Sequence, residues 1–141
     1  MTIDHESLVE KKAKLRQAIR VLKKLRSQPL EELEKDEITT GAVLHYLTVG
    51  IESILDMGSH ILTEDFGASP ETYEEVIQLL GQKEILSSEF TERSRGMGKF
   101  RNKMIHGYAD ITMSKIYGYL QKAPDDFEQF DAAFSAYLKK K

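Results

Sequence analysis

The chain has 141 residues with 40% hydrophobic content, enough for one core of ordinary domain size. It contains no cysteine, which excludes disulfides and thiolate zinc sites, and its net charge of −3 excludes a protein that coats nucleic acid over its whole surface. With no uninterrupted apolar run of 18 residues and no signal-peptide pattern, the expectation is a single soluble, cytoplasmic domain over residues 1–141 with no membrane partner.

Helical periodicity runs through almost the whole chain, and strand signals are weak. Leu8, Leu15, Ile19 and Leu22 predict a first helix from about 5 to 26, stopped before Pro29. The following LEELEKDE reads as an acidic connection. Leu44, Leu47, Ile51, Ile54, Gly58 and Ile61 then form a narrow seam that predicts a long helix over about 37–63. Gly50 and Gly58 lower its propensity by roughly 1 kcal/mol each and admit a closely approaching neighbour. Ser69-Pro70 reads as an N-cap followed by proline at the first helical position, predicting a helix over about 70–81 with Gly81 as its stop. A fourth long helix is expected from Ser87 or Ser88 to Gly107, weakened by Gly96 and Gly98. A short helix over 113–122 and a last one from about Pro124, with Phe127, Phe130, Phe134 and Tyr137 on one face, complete an all-α bundle whose longest helices pair antiparallel.

Charge is unevenly distributed. Residues 11–26 hold eight basic residues and no acid, and residues 93–103 hold five and no acid. The rest of the chain carries the other 7 basic residues against all 23 acidic ones. An acidic protein with two such windows can bind an anion locally, although each window also reads as a solvated helix face. The four histidines are scattered without a ligand-like spacing, so neither a metal nor another cofactor is expected.

The segment Phe100-Arg101-Asn102-Lys103-Met104-Ile105-His106-Gly107-Tyr108 concentrates polar chemistry at a helix end. Gly107 is the C′ candidate, so His106 lies among exposed carbonyls, where positive charge is favoured. Asn102 is one turn behind His106, whereas Arg101 is about 140° around the axis. Arg101 and His106 would therefore converge better on a substrate held between two copies of the helix. Histidine can act as base or acid near neutral pH, and arginine offers a planar fork to phosphate oxygens. These are the groups needed when the 2′-hydroxyl of RNA attacks its own phosphate without a metal. A surface arginine and a helix-capping histidine would give the same letters.

Arg101-Asn102-x-x-x-His106-Gly107-Tyr108 resembles the R-N-x-x-x-H-x-Y signature of the HEPN superfamily, and most closely the HepT-type toxins that pair with a minimal nucleotidyltransferase antitoxin of the MntA type. Ser53 to Ile61, Ser69 to Tyr73 and Gly98 to Asn102 are similar to further stretches of that family. The resemblance implies a HEPN bundle that dimerises with two motifs facing one cleft. It implies a metal-independent ribonuclease toxin acting on cellular RNA, with transfer RNA the expected target. Arg101 and His106 would be catalytic, and Asn102 would support them; apart from the resemblance, Lys99 and Lys103 flank Arg101 and read as RNA-steering cations, as lysines beside any anion site would. Tyr108 would be the residue to which the antitoxin transfers AMP.

Asp56 and His60, four apart on one helix face, read either as a surface pair or as support for the cleft, for example an acid that orients His106. The rival function is a non-catalytic HEPN module that binds or assembles with a nucleotidyltransferase. A purely structural helical dimer would leave both basic windows unexplained.

Overall fold

A computed structural model describes residues 4–107 and 111–140. Among these residues there are seven helices and no strand. They are α1 (His5–Arg26), α2 (Leu30–Lys35), α3 (Glu37–Phe66), α4 (Tyr73–Gln82), α5 (Ser88–Ser94), α6 (Met97–His106) and α7 (Met113–Lys139).

Three long helices build the core. α1 runs antiparallel to α3, with Asp4 beside His60 and Lys11 beside Asp56. It also runs antiparallel to α7, where Lys12 reaches Ser135, Arg16 reaches Asp131, Lys23 reaches Glu128 and Arg26 reaches Asp125. The seam of α3 is buried along its length, from Val43 through Leu47, Ile51 and Ile54 to Ile61. An 18-residue window of α3 reaches a mean hydropathy of 1.3, long and apolar enough to cross a membrane by composition. In this fold those apolar residues form the centre of the bundle.

The two glycines of α3 act as notches. A Cβ on Gly50 would collide with the ring of Phe127, and one on Gly58 would come within 2.9 Å of Leu80 and 3.0 Å of Val76. Their hydrogen side chains let α7 and α4 approach the α3 backbone.

Several boundaries differ from the sequence expectations. LEELEK is a helix, not a connection, because Leu33 is fully buried against the bundle. The N-cap of α4 is Thr72 rather than Ser69: its hydroxyl accepts from the Glu75 amide at 3.1 Å. Gly81 lies inside α4, with the Thr91 side chain packed over it, and does not stop the helix. α3 continues to Phe66 and ends on Gly67, in the left-handed conformation with φ 62°.

The expected fourth helix is two helices, α5 and α6, parted at Arg95 and Gly96. Conversely, the two helices expected around Pro124 are one. Ile116, Leu120, Ala123, Phe127, Phe130 and Phe134 bury a continuous seam across that proline. At roughly 1.5–3 kcal/mol per large buried side chain, this seam outweighs the ~3 kcal/mol disfavour of an internal proline.

Candidate functional site

α6 presents the polar motif. Met97 and Met104 anchor one side of the helix in the core. Phe100 packs on Tyr119 at 4.5 Å between ring centroids. Gly107 ends the helix with φ 61°, its amide donating to the Lys103 carbonyl. His106 thus lies in the last turn and is exposed, beside the carbonyl end of the helix.

Arg101 is held in place by three groups. Its side chain is 18% exposed. Nη1 donates to Asn102 Oδ1 at 3.1 Å, and Nη2 donates to the Glu52 carboxylate in a close ion pair. The guanidinium also lies over the Tyr73 ring, 5.7 Å from its centroid. Tyr73 can come so close to α6 because position 98 is glycine; a Cβ there would clash with Tyr73. The Nε atom is buried and forms no hydrogen bond. Arg101 is therefore held in one orientation, and each terminal nitrogen keeps a second N–H that these bonds do not use.

The structure places the other expected residues less centrally. Asn102 meets the motif through the bond that its Oδ1 accepts from Arg101. Lys99 is exposed on α6, and Lys103 is half-buried in the final turn. Asp56 pairs with Lys11 at 3.7 Å, while Nε2 of His60 accepts from the Asp4 amide at 3.1 Å. Asp56 and His60 are not hydrogen bonded to each other. Tyr108 lies outside the described residues.

The acid in contact with the motif is Glu52, which sequence reasoning missed. Its signal was available: Glu52 is the only acidic or basic residue other than His45 between Ile38 and Leu55, in the middle of the most apolar helix. A lone carboxylate there needs a cationic partner.

The second basic window is largely paired within the fold. Arg93 bonds Asp126 and Gln129 at 2.9 and 2.7 Å and lies over the Phe90 ring. Arg95 pairs with Glu74 and Glu92, whose hydrogen bonds raise its already high pKa. Lys99 remains as an exposed cation beside the motif, and the other charges of the window mostly fasten α5 to its neighbours.

No group of three or more His, Asp or Glu side chains suited to a metal ion occurs among the described residues. The motif itself brings an oriented guanidinium, Arg101, and an imidazole at the helix end, His106, onto one short helix.

The ribonuclease HepT-like family matches residues 15–133. The chain belongs to the HepT-like ribonuclease family. It is 22% identical over 99 residues to the mRNA nuclease HepT of Shewanella oneidensis, covering 70% of this chain and 74% of that protein. Its fold matches the tri-AMPylated HEPN toxin of Shewanella oneidensis, solved in complex with an MNT antitoxin. The TM-score is 0.82 at 20% identity, over 92% of this chain and 96% of that one. It also matches the cytosolic protein YutE of Bacillus subtilis, of unknown function, with TM-score 0.80 at 18% identity over 98% and 92% of the two chains. This HepT-like chain therefore has the all-α HEPN fold, and its family is one of ribonucleases.

Proposed function

We propose that this HepT-like protein is the toxin of a toxin–antitoxin pair: a metal-independent ribonuclease that acts in the cytoplasm as a homodimer. The observation that carries the reading is Arg101, fixed by Glu52, Asn102 and Tyr73 five residues before an exposed histidine. An oriented guanidinium beside an exposed histidine favours this reading over a helical adaptor, which needs only the ion pair with Glu52.

In the reaction, the N–H groups of Arg101 that Asn102 and Glu52 do not engage bind the scissile phosphate and stabilise charge as the phosphorane forms. His106 of one protomer removes the proton of the attacking 2′-hydroxyl. The second copy of His106 protonates the departing 5′-oxygen. The homodimer supplies both roles because one helix turns Arg101 and His106 apart. The products are a 2′,3′-cyclic phosphate and a 5′-hydroxyl. Transfer RNA is the expected target, and the name of the Shewanella relative makes messenger RNA the alternative to compare.

Neutralisation follows from Tyr108. A nucleotidyltransferase partner would transfer AMP to its phenol, placing a phosphodiester and an adenosine where RNA binds. The Shewanella toxin solved as a tri-AMPylated protein with an MNT antitoxin supports this assignment.

The test is cleavage of transfer and messenger RNA in EDTA. Arg101→Ala and His106→Ala are each expected to lose about 10²–10⁴-fold in rate while keeping their helical content. Cleavage that requires added divalent metal, or that survives both substitutions, overturns the mechanism and favours a non-catalytic partner of the nucleotidyltransferase.

A further inference from the structure

The first basic window divides into two faces. Lys12, Arg16, Lys23 and Arg26 point to α7 and are engaged by Ser135, Asp131, Glu128 and Asp125. Lys11 and Lys14 point the other way, toward α3, where they border a cavity of about 290 Å³. Lys11 is tied only by the 3.7 Å contact with Asp56, and Lys14 forms no salt bridge among the described residues. The pairing with α7 therefore accounts for only part of the window.

The α3 wall of this cavity has a different chemistry. His45 and Tyr46 meet edge to face, 4.9 Å apart at 83°. Ser53, only 5% exposed, and Asp56 add hydrogen-bonding groups. Between them stands Glu52, whose carboxylate also holds Arg101. The cavity and the candidate catalytic arginine are thus separated by one side chain.

Cations at the mouth, an aromatic wall and short polar groups inside form a combination suited to a nucleotide: a planar base against the ring and a phosphate on the ammonium groups. The volume is near the lower end of the roughly 300–1,000 Å³ of small-molecule pockets, a fit for a single nucleotide unit. The two acids do not make the place anionic. Glu52 is neutralised by Arg101 and Asp56 faces Lys11, which leaves Lys14 in excess.

We propose that the α1–α3 cavity is a subsite for the single-stranded RNA nucleotide adjoining the scissile phosphate, with its base on Tyr46 and its outer phosphate on Lys11 and Lys14. The assignment rests on the ribonuclease reading of Arg101 and His106 and adds the part of the substrate those residues do not touch. Asp56 accepts hydrogen bonds from an amino-bearing base, so the subsite favours a base with an exocyclic amine over uridine.

The experiment measures two quantities on the full chain. The first is the affinity of wild type and variants for a 2′-O-methyl RNA oligonucleotide, which cannot be cleaved, across a salt series. The second is kcat and KM on the matching cleavable RNA. Lys14→Ala is expected to weaken binding and to reduce the salt slope by about 0.7, one phosphate contact on a single strand. Tyr46→Leu, which keeps apolar bulk against the core, is expected to weaken binding at least about fivefold, with KM raised and kcat kept. Arg20→Ala, on the same helix but outside the cavity, is expected to bind like wild type.

Wild-type affinity and salt slope in both Lys14→Ala and Tyr46→Leu overturn the subsite. If Arg101→Ala still abolishes cleavage in that case, the ribonuclease reading stands without it. Should wild type cut no RNA yet bind the 2′-O-methyl strand through Lys14 and Tyr46, the cavity stands as an RNA site and the catalytic reading falls. A loss of kcat equal to the loss of kcat/KM in Tyr46→Leu also counts against the proposal, because it signals disturbed catalysis instead of lost binding.

Discussion

Glu52 on α3 and Arg101 on α6 form an ion pair across the bundle, with Arg101 18% and Glu52 40% exposed on their side chains. The pair fixes the direction of the guanidinium, and its removal is expected to displace the proposed phosphate-binding N–H groups while leaving the helices intact. Glu52→Ala is expected to lower kcat by about 10–100-fold, the usual consequence of a small displacement in a reacting centre. Glu52→Gln, which retains an oxygen to accept from Nη2, is expected to recover much of that loss. Single-turnover cleavage of the three proteins distinguishes this from Glu52→Ala and Glu52→Gln being equally active.

Tyr108 is expected to be the control point. Incubation with a nucleotidyltransferase partner and ATP is expected to add AMP to wild type and none to Tyr108→Phe, read as intact mass. Inhibition of the modified toxin is expected to persist in high salt, because the adenosine excludes RNA sterically where charge effects are screened. Equal mass gain on both proteins rejects the assignment.

Gly50 is expected to resist substitution. In Gly50→Ala the new methyl meets the ring of Phe127, which is fully buried in the core. Overpacking of this kind costs about 1–3 kcal/mol, against a gain in helix propensity of at most about 1 kcal/mol. Gly118→Ala is the contrast: nothing lies within 4 Å of a Cβ there, so the propensity gain is expected to show as net stabilisation. Urea denaturation of both variants checks the opposite signs.

Acid is expected to loosen α1 from α7. The Arg26 guanidinium bonded to Asp125 holds that carboxyl below its ordinary value of 3.8, with Lys23 adding to the effect. A carboxyl depressed in the folded state contributes stability that is present above its unfolded pKa and is lost as pH falls through the folded one. The contribution is therefore expected to be intact at pH 6, to begin to fall near pH 4 and to be lost as pH drops through the lowered folded value. Asp125→Asn is expected to flatten the acid limb of a stability–pH curve, measured by urea titration between pH 6 and 3.

How far the fold was legible can be judged residue by residue. Leu44 to Ile61 announced α3 because a 3-4 seam has no other regular reading, and Gly50 and Gly58 announced close approaches that Phe127, Val76 and Leu80 make. Pro124 misled because its local disfavour is visible in the sequence, whereas the seam running through it from Ile116 to Phe134 is a sum over the whole helix. LEELEK misled because one fully buried leucine, Leu33, decides the conformation of six mostly charged residues. At the site, Arg101 and Asn102 were legible as a motif. Glu52 was not, since it lies 49 positions away and only the fold brings it to the arginine.

The pairing of α1 with α7 has a consequence for the order of synthesis. Arg101 and His106 leave the ribosome before the residues of α7 do. At that moment α1 and α3 still have an open apolar side, for Phe127 has not filled the notch at Gly50 and no acid faces Arg16, Lys23 or Arg26. Glu52, Tyr73 and Asn102, which hold Arg101, are already made at that stage, but the side of the bundle that α7 covers is still open. The apolar face of α1 and α3 is therefore covered only once α7 has been made, so α7 closes the bundle last.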